Sequence, residues 1–384
     1  MPDGIRDACA IAGIGETAIG KLPDRTSLSL HVEAAAAAIR DAGLSKEEVD
    51  GVLSMPPYDD PAFLFCMQVA EGLGLRPRFA ADLNLGGATP VAMVMHAALA
   101  VAGGAAEAVL CTCGEARLSG RGRPKHGRRN WGYENYENPF GRIGPVSNYA
   151  MAARRHMHRH GTTSRQFGAI AVTQRSHACL TEGAQMREPI TLAEHQGSRF
   201  IAEPLRLLDC CLNSDGAAAV VVTSARRARD LPHPPVLIVG GTQRHTHKNF
   251  FEAPDPPYLG EQEAARDLYQ KYGLSPRDFD FAELYDCFTF TVLAQLESYG
   301  FCGEGDGGPF AEEGRIALGG EIPVNTHGGL LSHGYIDGMT HITEAVRQLR
   351  GGCGERQVKD AAMGLVTGNG GDLATHANLV VRRG

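Results

Sequence analysis

The stretch NTHGGLLSHGYIDGMTH at residues 325–341 sets the reading of the whole chain. It places an asparagine, His327 and a Gly-Gly pair before a polar loop with His333 and Tyr335. Extended to residues 322–371, the pattern continues through a helix and a second Gly-Gly pair to the strand MGLVT. Residues 81–116 follow the same plan, from ADLNLGGATP through a helix and another Gly-Gly pair to the strand AVLCT. The openings also match, CAIAGIGET at residues 9–17 and VLIVGGTQR at residues 236–244. One plan written twice points to a duplicated α/β unit, with the junction near residues 226–235. Residues 1–228 are expected to form one half and residues 229–384 the other. Short buried strands alternating with helices argue for parallel sheets covered on both faces.

Local signals support this outline. LSLHVEAAAAAIRDAG reads as an Ala-rich helix stopped at Gly43. Ser45 and Glu48 form a capping-box pattern, and GVLSM reads as a strand. Residues 117–200 break the pattern and read as a subdomain inserted into the first half. They open with RLSGRGRPKHGRRNWGYENYENPFGR, which is basic, then Gly-rich and aromatic. SNYAMAARRHMHRHG and SRQFGAIAVTQRSHACL then read as helices.

The chain has 384 residues, 43% hydrophobic and 21% charged, ordinary for a globular protein with a large core. A net charge of −7 gives no general attraction to nucleic acid or to anionic membranes. The N-terminus lacks the marks of a signal peptide, and the apolar run at residues 90–102 is too short to span a bilayer. Ten scattered cysteines without zinc-ribbon spacing fit a reducing cytoplasm. His245 and His247 form an H-x-H pair with no third ligand in view, so a loop role is preferred and no metal is expected.

ELYDCFTFTVLAQLESYG, VNTHGGLLSHGYIDG and GLVTGNGG occur in the order and spacing of thiolases. Together with PLRLLDCCLNSDGAAAVVVT at residues 204–223, they resemble the sterol-carrier or lipid-transfer branch. The resemblance covers essentially the whole chain. It implies the five-layered αβαβα fold, two similar halves with an inserted loop domain, dimers, and acyl-CoA thioesters as substrates. It also implies two catalytic cysteines and a histidine, and here the sequence departs from the family. Gly87, or Gly86, stands at the nucleophile position, and Gly368 stands at the second cysteine. Tyr335 replaces the histidine of Gly-His-Pro, and Tyr285 replaces the Asn or His of the remaining site position. Two tyrosines on this frame resemble the lipid-transfer-type aldolases of bacterial steroid side-chain degradation. Those act with a small zinc-ribbon/OB-fold partner.

Without a nucleophile the thiolase route closes. A retro-aldol cleavage of a β-hydroxyacyl-CoA needs only a base, an acid and an oxyanion hole. Tyr335 is assigned the β-hydroxyl proton and Tyr285 the enolate carbon, although which is acid and which is base is not readable from sequence. The family frame makes the backbone at Gly87 and Gly370 the oxyanion candidates. His327 and His333 either hydrogen-bond the site or serve structure, and Asp286 reads as an orienting or capping residue. No cofactor is expected in the chain beyond the CoA of the substrate. Two rivals remain: an acyltransferase using Cys287, and a non-catalytic acyl-CoA or lipid carrier. The basic run Arg117, Arg121, Arg123, Lys125, Arg128 and Arg129 reads as a CoA-phosphate or partner contact, or as a solvated loop. Trp131, Tyr133 and Tyr136 read as a substrate wall or an interface.

Overall fold

The structure, a computed structural model, describes residues 4–120, 131–254 and 260–384. The chain begins with β1 (Cys9–Glu16), α1 (Ser27–Asp41), β2 (Gly51–Ser54), α2 (Phe65–Leu73), β3 (Phe79–Asp82), α3 (Thr89–Ala102) and β4 (Ala108–Ala116). The inserted region carries α4 (Pro145–His160), α5 (Ser164–Cys179), α6 (Leu192–Gly197), β5 (Phe200–Ala202) and β6 (Leu205–Arg206). β7 (Asp215–Ser224), α7 (Ala225–Ala228), β8 (Val236–His245), α8 (Glu261–Tyr272), β9 (Phe281–Glu283) and α9 (Thr289–Ser298) follow. The chain ends with α10 (Gly307–Glu312), α11 (Gly329–Ser332), α12 (Met339–Arg350), β10 (Met363–Gly370) and β11 (Thr375–Arg383).

Local chemistry explains the helix ends. Thr26 caps α1 and exchanges hydrogen bonds with Ser29, and Gly43 follows in the left-handed region at φ +68°. Thr163 and Gln166 do the same at the start of α5.

Among the described residues nine strands form one ladder, in the order β3-β2-β4-β7-β1-β8-β11-β10-β9. Val324 extends the far edge through a parallel bridge to Ala282 on β9. Read outward from the β1–β8 seam, both sides therefore have the same strand order, and the third strand of the second copy is reduced to that bridge. The seam pairs only Ala10 with Leu237 and Ile11 with Val236. The expectation of parallel sheets needs correction, because β7 is antiparallel to β4 and β1, and β11 is antiparallel to β10 and β8. The β10–β11 connection is a short hairpin, which imposes antiparallel pairing. The inserted region likewise returns the chain to the end of the sheet where β4 left it.

Strand alternation gives each half of the sheet two faces, and the two halves close over α3 and α12, which pack on strands of both, to make five layers. On one face Val220, Val222, Ile238, Leu379 and Val381 pack on α3 and α12, with Met93, Val94, Ile342 and Val346 between the two sides. Val52, Leu110 and Val221 point the other way, onto α1 and α2. Val239, Leu365 and Val380 pack with Ala265 and Leu268 of α8 and Leu293 of α9. The buried central helix α3 thus leads out of the first Gly-Gly loop, whereas the second Gly-Gly pair opens α11 and α12 follows the loop from His333 to Gly338, which meets the first loop at one end of the sheet.

Candidate active site

Four segments converge there: residues 85–88 before α3, Tyr285 between β9 and α9, the loop from His333 to Gly338, and the end of β10 at residues 368–371. A Cβ on Gly87 would lie 2.0 Å from both Cζ and Oη of Tyr285. A side chain at Gly87, one of the two positions the thiolase resemblance offers for the nucleophile, would therefore collide with this phenol. Gly338, at φ +91°, brings its backbone against the same ring. A Cβ on Gly368 would lie 2.8 Å from Gly87 O and from Ala88 Cα, and one on Gly370 would lie 1.8 Å from Leu85 O. The two glycine segments thus interlock backbone to backbone, which places Gly87 beside Tyr285 and Gly370 against Leu85 and Gly86.

The hydroxyls of Tyr285 and Tyr335 lie 3.0 Å apart. Tyr285 is buried and pinned by its backbone. Its N–H donates to Thr367 Oγ1 at 2.9 Å, and its carbonyl accepts from Gln295 Nε2 at 2.7 Å and Thr291 Oγ1 at 3.0 Å. Tyr335 is partly exposed, and its N–H donates to Ser214 Oγ at 2.9 Å. The Arg117 guanidinium stands 5.0 Å from the centre of the Tyr335 ring and donates to Glu115 Oε2 at 2.5 Å. Burial, followed by the charge of Asp337, pushes the Tyr335 phenol well above its ordinary pKa, with Arg117 acting in the opposite direction. Burial, followed by Tyr335, does the same to Tyr285. Both are therefore neutral phenols at rest.

The other expected residues lie beneath this pair. Asp286 is fully buried and accepts the Leu330 and Leu331 N–H groups at 2.9 and 3.2 Å, which caps α11. It also binds His341 Nε2 at 3.0 Å. Burial opposes charge on His341, but the hydrogen bond and charge of Asp286 outweigh it and raise its pKa. His327 and His333 are buried edge to face at 5.0 Å. Burial and a neighbouring histidine push each down to about 3, so both are neutral and neither reaches the phenols as a base. Both nitrogens of His327 and the Nδ1 of His333 have no hydrogen-bond partner.

Glu283, His327 and His341 gather possible metal-ligand atoms within 4.8 Å of one another. Two ligands at about 2.1 Å from one zinc-like ion span at most about 4 Å. His341 gives Asp286 only its Nε2, while His341 Nδ1, both His327 nitrogens and Glu283 Oε2 have no hydrogen-bond partner, so the trio is a buried cluster whose possible ligand atoms are open. His245 Nδ1 meets Thr375 Oγ1 at 3.0 Å, and that pair stays in the strand-end loop. Cys287 is buried, and burial drives its thiol pKa upward, the opposite of what a nucleophile needs.

Of the basic run, Arg117 turns into the site, and the other five residues lie outside the described residues. Trp131 and Tyr136 meet edge to face at 5.1 Å, and Tyr136 continues onto Phe251 at 4.8 Å with tilted rings. Tyr136, Phe140, Met151, Phe250 and Phe251 line a cleft of about 720 Å³ together with Arg142 and Asn148. Asn148 donates to Asp372 at 2.8 Å, and Tyr149 donates to Asn369 Oδ1 at 3.2 Å. The cleft wall is thereby tied to the β10 end that carries Gly370. Sequence reading missed Glu115, Asp337 and His341 as site residues. Asp337 had a usable signal, since it lies two residues after Tyr335 in the same loop; Glu115 and His341 had only their neighbours.

Residues 241–383 match the family described as thiolase C-terminal domain-like. The chain is 42% identical to the steroid side-chain-cleaving aldolase of Thermomonospora curvata, over 90% of each chain. It is also 42% identical to the 17-hydroxy-3-oxo-4-pregnene-20-carboxyl-CoA lyase of Mycobacterium tuberculosis, over 89% of this chain and 91% of that one. A solved structure described as an Ltp2-ChsH2(DUF35) aldolase superposes with a TM-score of 0.89 at 39% identity, covering 99% of this chain and 98% of that one. With the glycine framework intact and tyrosines at the replaced positions, the chain belongs to the thiolase superfamily, in the lipid-transfer branch that includes the thiolase-like steroid side-chain aldolases.

Proposed function

We propose that this chain is a retro-aldolase that cleaves a β-hydroxyacyl-CoA with a steroid side chain into a ketone and a shorter acyl-CoA. The observation that carries this reading is the Tyr285 phenol filling the space above Gly87, with its hydroxyl 3.0 Å from that of Tyr335. A covalent thioester has no place to form there, whereas proton transfer between two phenols does. The relatives act in their own right as a steroid side-chain aldolase and a pregnene-carboxyl-CoA lyase, which supports the same substrate class here.

Tyr335, the more exposed phenol, takes the β-hydroxyl proton as the Cα–Cβ bond breaks. Tyr285, deeper and fixed, gives a proton to Cα of the thioester enolate. Because both phenols rest neutral, Tyr335 must release its own proton as it takes the substrate's. Backbone N–H groups at Gly87 and Gly370 are the proposed stabilisers of the enolate oxygen. Asp286 holds the loop that presents Tyr335. The aromatic cleft beside α4 has the size and apolar lining for a bulky ring system.

We further propose that the chain works as a homodimer with a small zinc-ribbon/OB-fold partner, in line with the Ltp2-ChsH2(DUF35) structure it resembles. Among the described residues no helix is long and apolar enough to cross a membrane, and a cytoplasmic site of action is part of the proposal. The test is incubation with a tertiary β-hydroxyacyl-CoA, with and without the partner, followed by mass spectrometry for ketone and shortened acyl-CoA. Bound but uncleaved substrate in both arms would overturn the reading in favour of a carrier.

A further inference from the structure

Asp337 lies in the Tyr335 loop and is only 2% exposed. Its backbone is left-handed at φ +50°, a conformation that aspartate and asparagine tolerate better than most residues. Its Oδ1 atom has no hydrogen-bond partner. The neighbouring carboxylates are already engaged. Glu115 accepts from Arg117 and, at 3.1 Å, from the Tyr58 N–H, while both Asp286 oxygens accept backbone N–H groups. A buried acceptor left open is costly, and this one stands beside the phenol that must lose a proton.

We propose that Asp337 takes the Tyr335 proton as Tyr335 takes the substrate's, and returns it when Cα is protonated. This deepens the retro-aldol reading and rests on it. The β-hydroxyl O–H bond breaks, and its proton goes to Tyr335 Oη. The original Tyr335 proton moves to Asp337 Oδ1. The freed electron pair forms the ketone C=O, and the pair of the broken Cα–Cβ bond becomes the enolate. Tyr285 then protonates Cα, Tyr335 reprotonates Tyr285 across the 3.0 Å contact, and Asp337 reprotonates Tyr335. The carboxylate is regenerated and no other reactant is consumed. Holding the proton on Asp337 lets cleavage and Cα protonation be separate steps, which a direct handover between two neutral phenols does not. At rest the Tyr335 hydroxyl is engaged with Tyr285, and Asp337 acts on it through charge and a weak hydrogen-bonding contact that falls short of ordinary geometry. Such contacts commonly tighten only when substrate is bound.

The groups facing this pair are Cys113, Glu115 and Arg117 from β4 and the turn after it, Tyr285 ahead of α9, and Cys211 ahead of β7. Burial raises the pKa of Asp337, with Arg117 opposing it, and burial plus Asp337 raises that of Glu115. The accepting form is the carboxylate, so cleavage should rise with pH through an acid limb above the ordinary carboxylate range.

Asp337→Asn keeps both the shape and the left-handed backbone, so the fold should survive. Turnover of the β-hydroxyacyl-CoA is expected to fall by about 10²-fold or more with KM changed little, and the acid limb should disappear. Asp337→Glu should restore part of the rate together with an acid limb. A second measurement needs no substrate: carbon-13 labelling of tyrosine and NMR titration should show Tyr335 ionising at lower pH in Asp337→Asn than in the wild type. A folded Asp337→Asn protein with wild-type kcat and pH profile would overturn the inference while leaving the retro-aldol reading intact. Failure of the wild type to cleave would instead remove that reading. The NMR arm would then decide the Asp337–Tyr335 coupling by itself, and an unchanged Tyr335 titration would overturn it.

Discussion

Replacing Gly87 by alanine puts a methyl group where the Tyr285 ring already lies. The added Cβ would stand 2.0 Å from Tyr285 Cζ and Oη, whereas such contacts settle near about 3.5 Å. One partner must therefore move by roughly 1.5 Å. The helix start gives little, because Thr89 holds it through Leu85 N–H and Gly86 O, and Gly370 packs against Leu85. The Tyr285 ring is the softer element, but its backbone is fixed by Thr367, Gln295 and Thr291. Overpacking of this kind costs about 1–3 kcal/mol. The same displacement takes the Tyr285 hydroxyl out of its 3.0 Å contact with Tyr335, and a misplacement of about 1 Å at a reacting group is worth about 10²-fold in rate. Denaturant unfolding should show the stability loss, and single-turnover cleavage the rate loss. The double variant Gly87→Ala/Tyr285→Ala should lose less stability than the sum of the two single losses, because the clash needs both side chains, and it should not recover activity. A Gly87→Ala protein with wild-type stability and turnover would refute the claim that a side chain at Gly87 collides with Tyr285.

Tyr335→Phe and Tyr285→Phe should each fold and lose about 10²-fold or more in cleavage, and the double variant should lose less than the product of the two, because the hydroxyls act as one unit; near-normal turnover in Tyr335→Phe would remove that phenol from the mechanism. Exposure to acyl-CoA should leave the intact mass unchanged, since Cys287 is buried, Cys211 is partly buried and both thiols have raised pKa values; an adduct mapped to Cys287 would favour an acyltransferase. His333 has a folded-state pKa of about 3, below its unfolded value, so its contribution is full above about pH 6.5 and is lost as pH falls toward 3. Between pH 6.5 and 4.5 the wild type should therefore lose stability relative to His333→Gln, and parallel stability–pH curves for the two would contradict the buried neutral imidazole.

Much of the architecture was legible because it rests on local signals. Thr26 with Ser29, the alanines of α1 and the glycine at its end act within a few residues of one another. The repeated Asn, Gly-Gly, helix and strand pattern likewise revealed two copies of one unit before any contact was known. Tyr285 and Tyr335 could be singled out only through the resemblance to thiolases, as the residues standing at that family's site positions; taken alone, Tyr285 reads as an ordinary core tyrosine.

What those motifs could not show is how the two copies complete each other. Gly87 leaves room, and Tyr285, from the other half of the chain, uses it; the pairing exists only once α3 and α12 are packed together between the sheets. The sense of the tyrosine pKa shifts was equally non-local. A helix end or a cation would have lowered them, but burial and Asp337 raise them, and burial is a property of the folded whole. Arg117 belongs to a basic run in sequence, yet its guanidinium lies over the Tyr335 ring because β4 delivers it there. Sequence by itself determined the frame and the residue types at the site, since periodicity and turn chemistry are short-range. Tertiary structure alone decided which charges, cavities and hydroxyls meet, because Coulomb energy, desolvation and packing depend on distance in space and not on separation along the chain.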